Sequence, residues 1–154
     1  MTVYLVRHAK AGSRRKWQAP DEERPLSENG RRQAAAIADW LADAGVTRVL
    51  SSPFVRCRQT VEPLAKRLRL TVDDTDSLAE GAPLVEALRL VEKVSDENTV
   101  LCTHGDVMGA LVDHAQRVGA HVEGDGLEKG ATWVFDFESG SIVSAARYVQ
   151  PPAI

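Results

Sequence analysis

Cysteine is scarce in this chain: its 154 residues hold two, Cys57 and Cys102. They lie far apart and match neither zinc-ligand spacing nor a disulfide framework, so both are expected to be buried free thiols in a reducing compartment. Long apolar runs are lacking too. Val3-Tyr4-Leu5-Val6, directly after Met1, is too short for a signal-peptide core, and no run approaches the roughly 18 residues of a membrane span. A cytoplasmic protein is the expectation. Nor is there an excess of one charge. Nineteen basic residues against 22 acidic ones leave a net charge of -3, which gives no general attraction to a nucleic acid polymer or a membrane. Any anion site must come from local clustering. Internal repeats, low-complexity tracts and linkers are likewise missing. With 44% hydrophobic residues the chain can build one continuous core. The expectation is a single domain over residues 1–150 and a short tail over 151–154, softened by Pro151 and Pro152 and expected to fray.

Strand and helix patterns alternate through most of the length. Val3 to Val6 reads as a buried strand that ends at the polar Arg7-His8. After an irregular basic stretch from Lys10 to Pro25, Ser27 is placed to cap a helix carrying Ala34, Ile37, Ala38 and Leu41, and Gly45 to stop it. Val46 to Ser51 reads as a second strand. Pro53 suits the first turn of a helix with Cys57, Val61, Leu64, Ala65 and Leu68 on one face. Leu70-Thr71-Val72 predicts a short third strand, and Leu84, Val85, Leu88 and Val91 a further helix. Thr99 to Thr103 predicts a strand ending at His104, followed by a helix with Met108, Leu111, Val112 and Ala115. Thr132 to Phe137 and Ile142 to Tyr148, joined by Glu138-Ser139-Gly140-Ser141, read as an antiparallel hairpin. The predicted class is α/β: a three-layer sandwich with a mainly parallel central sheet flanked by helices and an antiparallel C-terminal edge.

Two of the four histidines, His8 and His104, each follow an apolar strand directly, and strand C-termini are where open α/β sheets form ligand crevices. A third strand ends at Ser51-Ser52-Pro53, and the helix beginning there carries Arg56 in its first turn. Arg7, His8, Arg56 and His104 can therefore converge on one point. Two guanidinium groups and two imidazoles suit a phosphate dianion, because the planar fork of arginine contacts its oxygens in pairs. The same positive field disfavours imidazolium and keeps a histidine neutral and nucleophilic. Structural histidines also occur at strand ends, so spacing alone leaves that alternative open.

Leu5-Val6-Arg7-His8-Ala9-Lys10-Ala11 resembles the Arg-His-Gly signature of the histidine phosphatase (phosphoglycerate mutase-like) superfamily. Arg24-Pro25-Leu26-Ser27-Glu28-Asn29-Gly30-Arg31-Arg32-Gln33-Ala34 is similar to that family's entry into its first helix. Ser51-Ser52-Pro53-Phe54-Val55-Arg56-Cys57-Arg58-Gln59-Thr60 resembles its second phosphate-binding motif, and Thr103-His104-Gly105 supplies the second histidine. The resemblance implies a ping-pong transfer: His8 attacks phosphorus in line, and water later hydrolyses the phosphohistidine. Arg7, Arg56 and His104 would hold the equatorial oxygens, with no metal and no cofactor. Ala9 departs from the usual Gly, a variation that small phosphohistidine phosphatases of the SixA type tolerate.

Other residues carry a sharp and a bland reading. Lys10, Arg14, Arg15 and Lys16, with Trp17, either guide a polyanionic substrate or form a solvated loop. Lys129 either reaches the site or faces water. Glu80 lies where many superfamily members place an acidic proton donor, or is a loop residue; Asp73, Asp74 and Asp76 read as surface, unless a shifted alignment gives that role to one of them. His114 and His121 read as surface histidines, and Gly124-Asp125-Gly126 with Gly130 as a connecting loop. The compact length implies an open site, suited to a phosphohistidine on a protein partner or to a small phosphorylated metabolite such as a nucleotide or sugar phosphate. Lys129-Gly130-Ala131-Thr132-Trp133 and Arg56-Cys57-Arg58-Gln59-Thr60 also resemble the phosphatase-like domain joined to a Nudix domain in some actinobacterial nucleotide-pool enzymes, here expected without that Nudix partner. A non-catalytic phosphate-binding or scaffolding domain is the rival from another class. The sequence leaves the oligomeric state open.

Overall fold

The computed structural model describes all residues, Met1–Ile154. Seven strands form one sheet: β1 (Thr2–Arg7), β2 (Arg48–Ser51), β3 (Val72–Asp74), β4 (Thr99–Thr103), β5 (His121–Glu123), β6 (Thr132–Asp136) and β7 (Ala145–Val149). Their spatial order is β3-β2-β4-β1-β6-β7-β5. Pairing is parallel from β3 through β2 and β4 to β1, then antiparallel at β1–β6 and β6–β7. Four helices cover the faces: α1 (Glu28–Leu41), α2 (Val55–Leu68), α3 (Leu84–Val94) and α4 (Gly105–Arg117). No helix is long and apolar enough to cross a membrane.

Strand alternation assigns the two cores. Val3 and Leu5 of β1 and Leu101 of β4 face one side, with Val91 of α3 and Met108 and Leu111 of α4. Val6, Val100 and Cys102 face the other, with Ile37 and Leu41 of α1 and Val61 and Leu64 of α2. Both cysteines are buried free thiols. The central strands are apolar on both faces because helices cover both faces.

Several local expectations shift, and one strand is added. The third strand covers Val72–Asp74 rather than Leu70–Val72, because Arg69 takes a left-handed conformation (φ 58°) that closes α2, and Leu70 N–H returns to Ala65 O. Asp73 and Asp74 thereby become exposed residues of an edge strand, where charge discourages pairing with another chain. The antiparallel pair holds, but its second strand begins at Ala145 rather than Ile142, so Ile142 is exposed. β5 escaped the sequence reading: three residues with exposed ends carry no periodic signal, yet they pair in parallel with β7. Helix ends also move. α1 closes at Leu41, ahead of Gly45, α2 begins two residues after Pro53, and Val85 is exposed.

Ser27 caps α1 as expected, its side chain accepting from Gly30 N–H at 3.1 Å. Its backbone N–H and hydroxyl both donate to Lys10 O, which ties the segment after His8 to the start of α1. Gly30 permits this approach: a Cβ there would lie 1.9 Å from Lys10 O. Gly30→Ala must therefore separate helix and loop. It is expected to cost about 3 kcal/mol, at the upper end for overpacking because the obstacle is backbone. An unchanged urea midpoint for Gly30→Ala would contradict this.

Candidate active site

The parallel β1–β4 pair sets Arg7 opposite Thr103, so the residues that follow, His8 and His104, emerge side by side. His8 N–H donates to Thr103 O at 3.0 Å, and Ser52 N–H, just past β2, donates to Cys102 O at 2.9 Å. Three adjacent strand ends thus deliver His8, His104 and Ser52 to one crevice. The two imidazole centroids are 5.4 Å apart.

His8 is buried, and its Nδ1 lies 2.8 Å from Ala9 O. A carbonyl only accepts, so Nδ1 carries the hydrogen and Nε2 keeps its lone pair. Burial is the main cause that lowers the pKa of His8 to about 3; His104, Arg56 and Arg7 add to it, while the Ala9 carbonyl opposes it. The ring is therefore neutral near pH 7, with the Nε2 lone pair unprotonated. Ala9 N–H donates to Thr60 Oγ1, and the Ala9 methyl group packs with Leu26 and Ala34. The departure from Gly is accommodated in a small apolar cluster behind the site.

Arginines surround the crevice. Arg7 Nη1 donates to Leu127 O at 2.5 Å, while its Nε is buried without a protein partner. Gly105 lets it lie against the start of α4, because a Cβ there would stand 2.9 Å from the guanidinium carbon. Arg56 is fully buried, donating to Asp21 O at 2.9 Å and Asp21 Oδ2 at 3.1 Å, and lying 5.0 Å from the centroid of the Phe54 ring. Arg24, also buried, binds Asp21 Oδ1 and Gly12 O. Arg7 and Arg24, with Arg14 and Lys129, border a cavity of about 630 Å³, while the buried Arg56 reaches it through Glu80. The Lys129 ammonium is pushed below its usual range by burial and then by Arg7, Arg24, Arg14 and Arg56, which marks how tightly the cations converge. Glu80 joins them, its Oε1 at 3.4 Å from Arg14, 3.5 Å from Arg56 and 3.9 Å from His104 Nδ1. Gly81 N–H donates to Asp106 Oδ2 at 2.8 Å, which ties the Glu80 loop to the first turn of α4.

Arg7, His8, Arg56, His104, Glu80 and Lys129 are thus brought together. Lys10 is not: it is exposed and lies outside the cavity wall, because its backbone is committed to Gln33 and Ser27 at the start of α1. Of the basic run only Arg14 borders the cavity. His121 is exposed beside Glu123, and His114 lines a separate apolar cleft. Arg24, Asp21, Ser52 and Asp106 escaped the sequence reading as site residues. Ser52 and Asp106 had a usable signal, one directly after a strand and the other within two residues of His104. Arg24 heads the segment that resembles the family's entry into its first helix, a usable signal, whereas Asp21 lies in a short 3-10 turn, Asp21–Glu23, that gives none. No group of three or more His, Cys, Asp or Glu side chains is arranged to hold a metal ion.

The lowered His8 pKa has a consequence for stability. Between pH 6.5 and about 3 the unfolded chain binds a proton on this imidazole that the folded chain does not. Its contribution to stability is complete above 6.5 and is lost as the pH falls through that window. Urea denaturation at pH 7 and at about 4.5 should show wild type losing more stability than His8→Gln. Equal losses would contradict a buried neutral His8.

Residues 3–83 match the histidine phosphatase superfamily (branch 1). The 8-oxo-(d)GTP phosphatase of Mycolicibacterium smegmatis is 36% identical over 98% of this chain, which spans 48% of that protein's length. Phosphohistidine phosphatase SixA of Escherichia coli is 33% identical over 77% of this chain and 70% of its own. Among solved structures, SixA complexed with tungstate superposes with a TM-score of 0.76 at 21% identity, covering 99% of this chain and 97% of that one. The fold, the order of the motifs and these relatives agree: the chain belongs to the histidine phosphatase superfamily, branch 1.

Proposed function

We propose that the chain is a metal-independent phosphohydrolase that works through a phosphohistidine on His8 and takes small phosphorylated metabolites of the nucleotide class. One observation carries the reading: a buried, neutral His8 with a free Nε2 borders a cavity with Arg7 and His104, and Arg56 lies behind it against Glu80 at 3.5 Å. Nε2 attacks phosphorus, the bond to the leaving oxygen breaks, and Glu80 supplies the proton that oxygen needs. Water then attacks phosphorus, the P–N bond breaks, and the water's proton returns to Glu80. Arg7, Arg56 and His104 donate to the equatorial oxygens, whose charge the cavity is already arranged to meet.

Arg14, Arg24 and Lys129 add positive charge beyond what one phosphoryl group uses, which favours a substrate with further anionic groups. The similarity to an 8-oxo-(d)GTP phosphatase along nearly the whole chain points the same way. A second reading, phosphohistidine on a protein, is favoured by the similarity to SixA and by the position of the cavity at the surface.

With an activated aryl phosphate, acid quench during turnover should lose the phosphoenzyme and alkaline quench retain it, and His8→Ala should abolish both intermediate and turnover. Phosphate binding without turnover by wild type would instead support a non-catalytic module. Arg56→Lys should lower kcat by a factor on the order of 100, since the ammonium lacks the planar fork. Glu80→Gln should slow alkyl phosphates by roughly 100-fold while sparing activated aryl phosphates and phosphohistidine peptides, whose leaving groups need little protonation. Equal, small effects on every substrate would remove Glu80 from the mechanism and favour the phosphohistidine reading.

A further inference from the structure

We infer that Ser52 fixes the tautomer of His104, so that the ring presents an Nδ1–H to the phosphoryl oxygens. The inference rests on the proposed phosphoryl site. Ser52 is fully buried, and its Oγ lies 2.9 Å from His104 Nε2. The same oxygen accepts from Phe54 N–H at 3.3 Å. A hydroxyl has one hydrogen and two lone pairs, so accepting from Phe54 leaves the hydrogen free to donate. His104 Nε2, at 2.9 Å, is the strong acceptor within reach. Were Nε2 to carry the hydrogen instead, the serine hydrogen would have only the Cys57 sulfur, a weak acceptor, to turn to.

Cys57 Sγ lies 3.5 Å from the same Nε2 and can donate to it or accept from it. A further observation supports the assignment. The opposite nitrogen, Nδ1, is buried with no hydrogen-bond partner in the protein, on a ring that borders the cavity. Ring orientation is also held: His104 packs between the rings of His8 and Phe54, at 5.4 Å and 4.7 Å between centroids. Ser52 itself is placed by its N–H bond to Cys102 O and by Ser51 Oγ donating to its carbonyl at 2.8 Å. A donor at Nδ1 stabilises charge growing on a phosphoryl oxygen, whereas a lone pair there would repel it. Ser52 is thus a positioning residue that acts through His104.

Long-range 1H–15N spectra of 15N-histidine-labelled protein read this directly, with His104 assigned by comparison with His104→Gln. Wild type at neutral pH should give the Nδ1–H pattern for His104. Ser52→Ala should shift the ring toward Nε2–H and lower kcat on an activated aryl phosphate by about 10- to 100-fold, as loss of an orienting partner does elsewhere. Ser52→Thr, which keeps the hydroxyl, should restore both. An Nε2–H or doubly protonated His104 in wild type overturns the inference without any variant, and so does a folded Ser52→Ala that keeps tautomer and rate. Failure of the functional reading is separately visible as the absence of a phosphoenzyme on His8.

Discussion

Arg7 faces Thr103 across the parallel pairing of β1 and β4, and the site depends on that register. A slip of one residue would carry His8 about 3.3 Å along the strand away from His104 and turn the side chains of β1 to the opposite faces of the sheet. The register is held from both layers, since Val3 and Leu5 are buried beneath α3 and α4 while Val6 is buried beneath α1 and α2. The two cores thus determine where the two imidazoles meet. β2 extends the arrangement by one strand and brings Ser52 against His104.

Given that placement, the principal cost is electrostatic. Arg56 is fully buried and Arg24 nearly so, and a buried guanidinium is tolerated only when its donors are satisfied. Asp21 serves both, taking Arg24 on one carboxylate oxygen and Arg56 on the other. Burial alone would raise the Asp21 pKa, but the bonds and charges of these arginines outweigh it and hold the carboxyl low. Backbone carbonyls of Asp21, Gly12 and Leu127 take other guanidinium hydrogens. Of the five buried side-chain polar atoms without a partner, Arg7 Nε, Arg56 Nε and His104 Nδ1 belong to the residues proposed to hold the phosphoryl group, and Thr132 Oγ1 and Tyr148 OH lie elsewhere.

Legibility in the sequence followed the strength of local signals. β1, β4 and the helices after them were readable because apolar runs and helical periodicity end sharply at Arg7-His8 and at His104. Their convergence also followed from the motifs, since strand ends in such sheets share one crevice. Of the basic run Lys10, Arg14, Arg15 and Lys16, Arg14 reaches the cavity wall while Lys10 turns to meet Ser27 and Gln33, a distinction that charge alone does not carry. Asp21 was invisible, lying well outside every periodic segment yet folding back onto Arg56. β5 was missed because pairing with β7, rather than any hydrophobic pattern of its own, makes it a strand.

The account turns on the neutral His8, with Nδ1–H bound to the Ala9 carbonyl and Nε2 free to attack. The most direct test is the position of phosphorus in the trapped intermediate, read by 31P–15N coupling in protein labelled with 15N-histidine and mapped to the peptide by mass spectrometry. The account predicts a single phosphoramidate at Nε2 of His8. Phosphorus on Nδ1, on His104, or on no histidine at all during active turnover would contradict it.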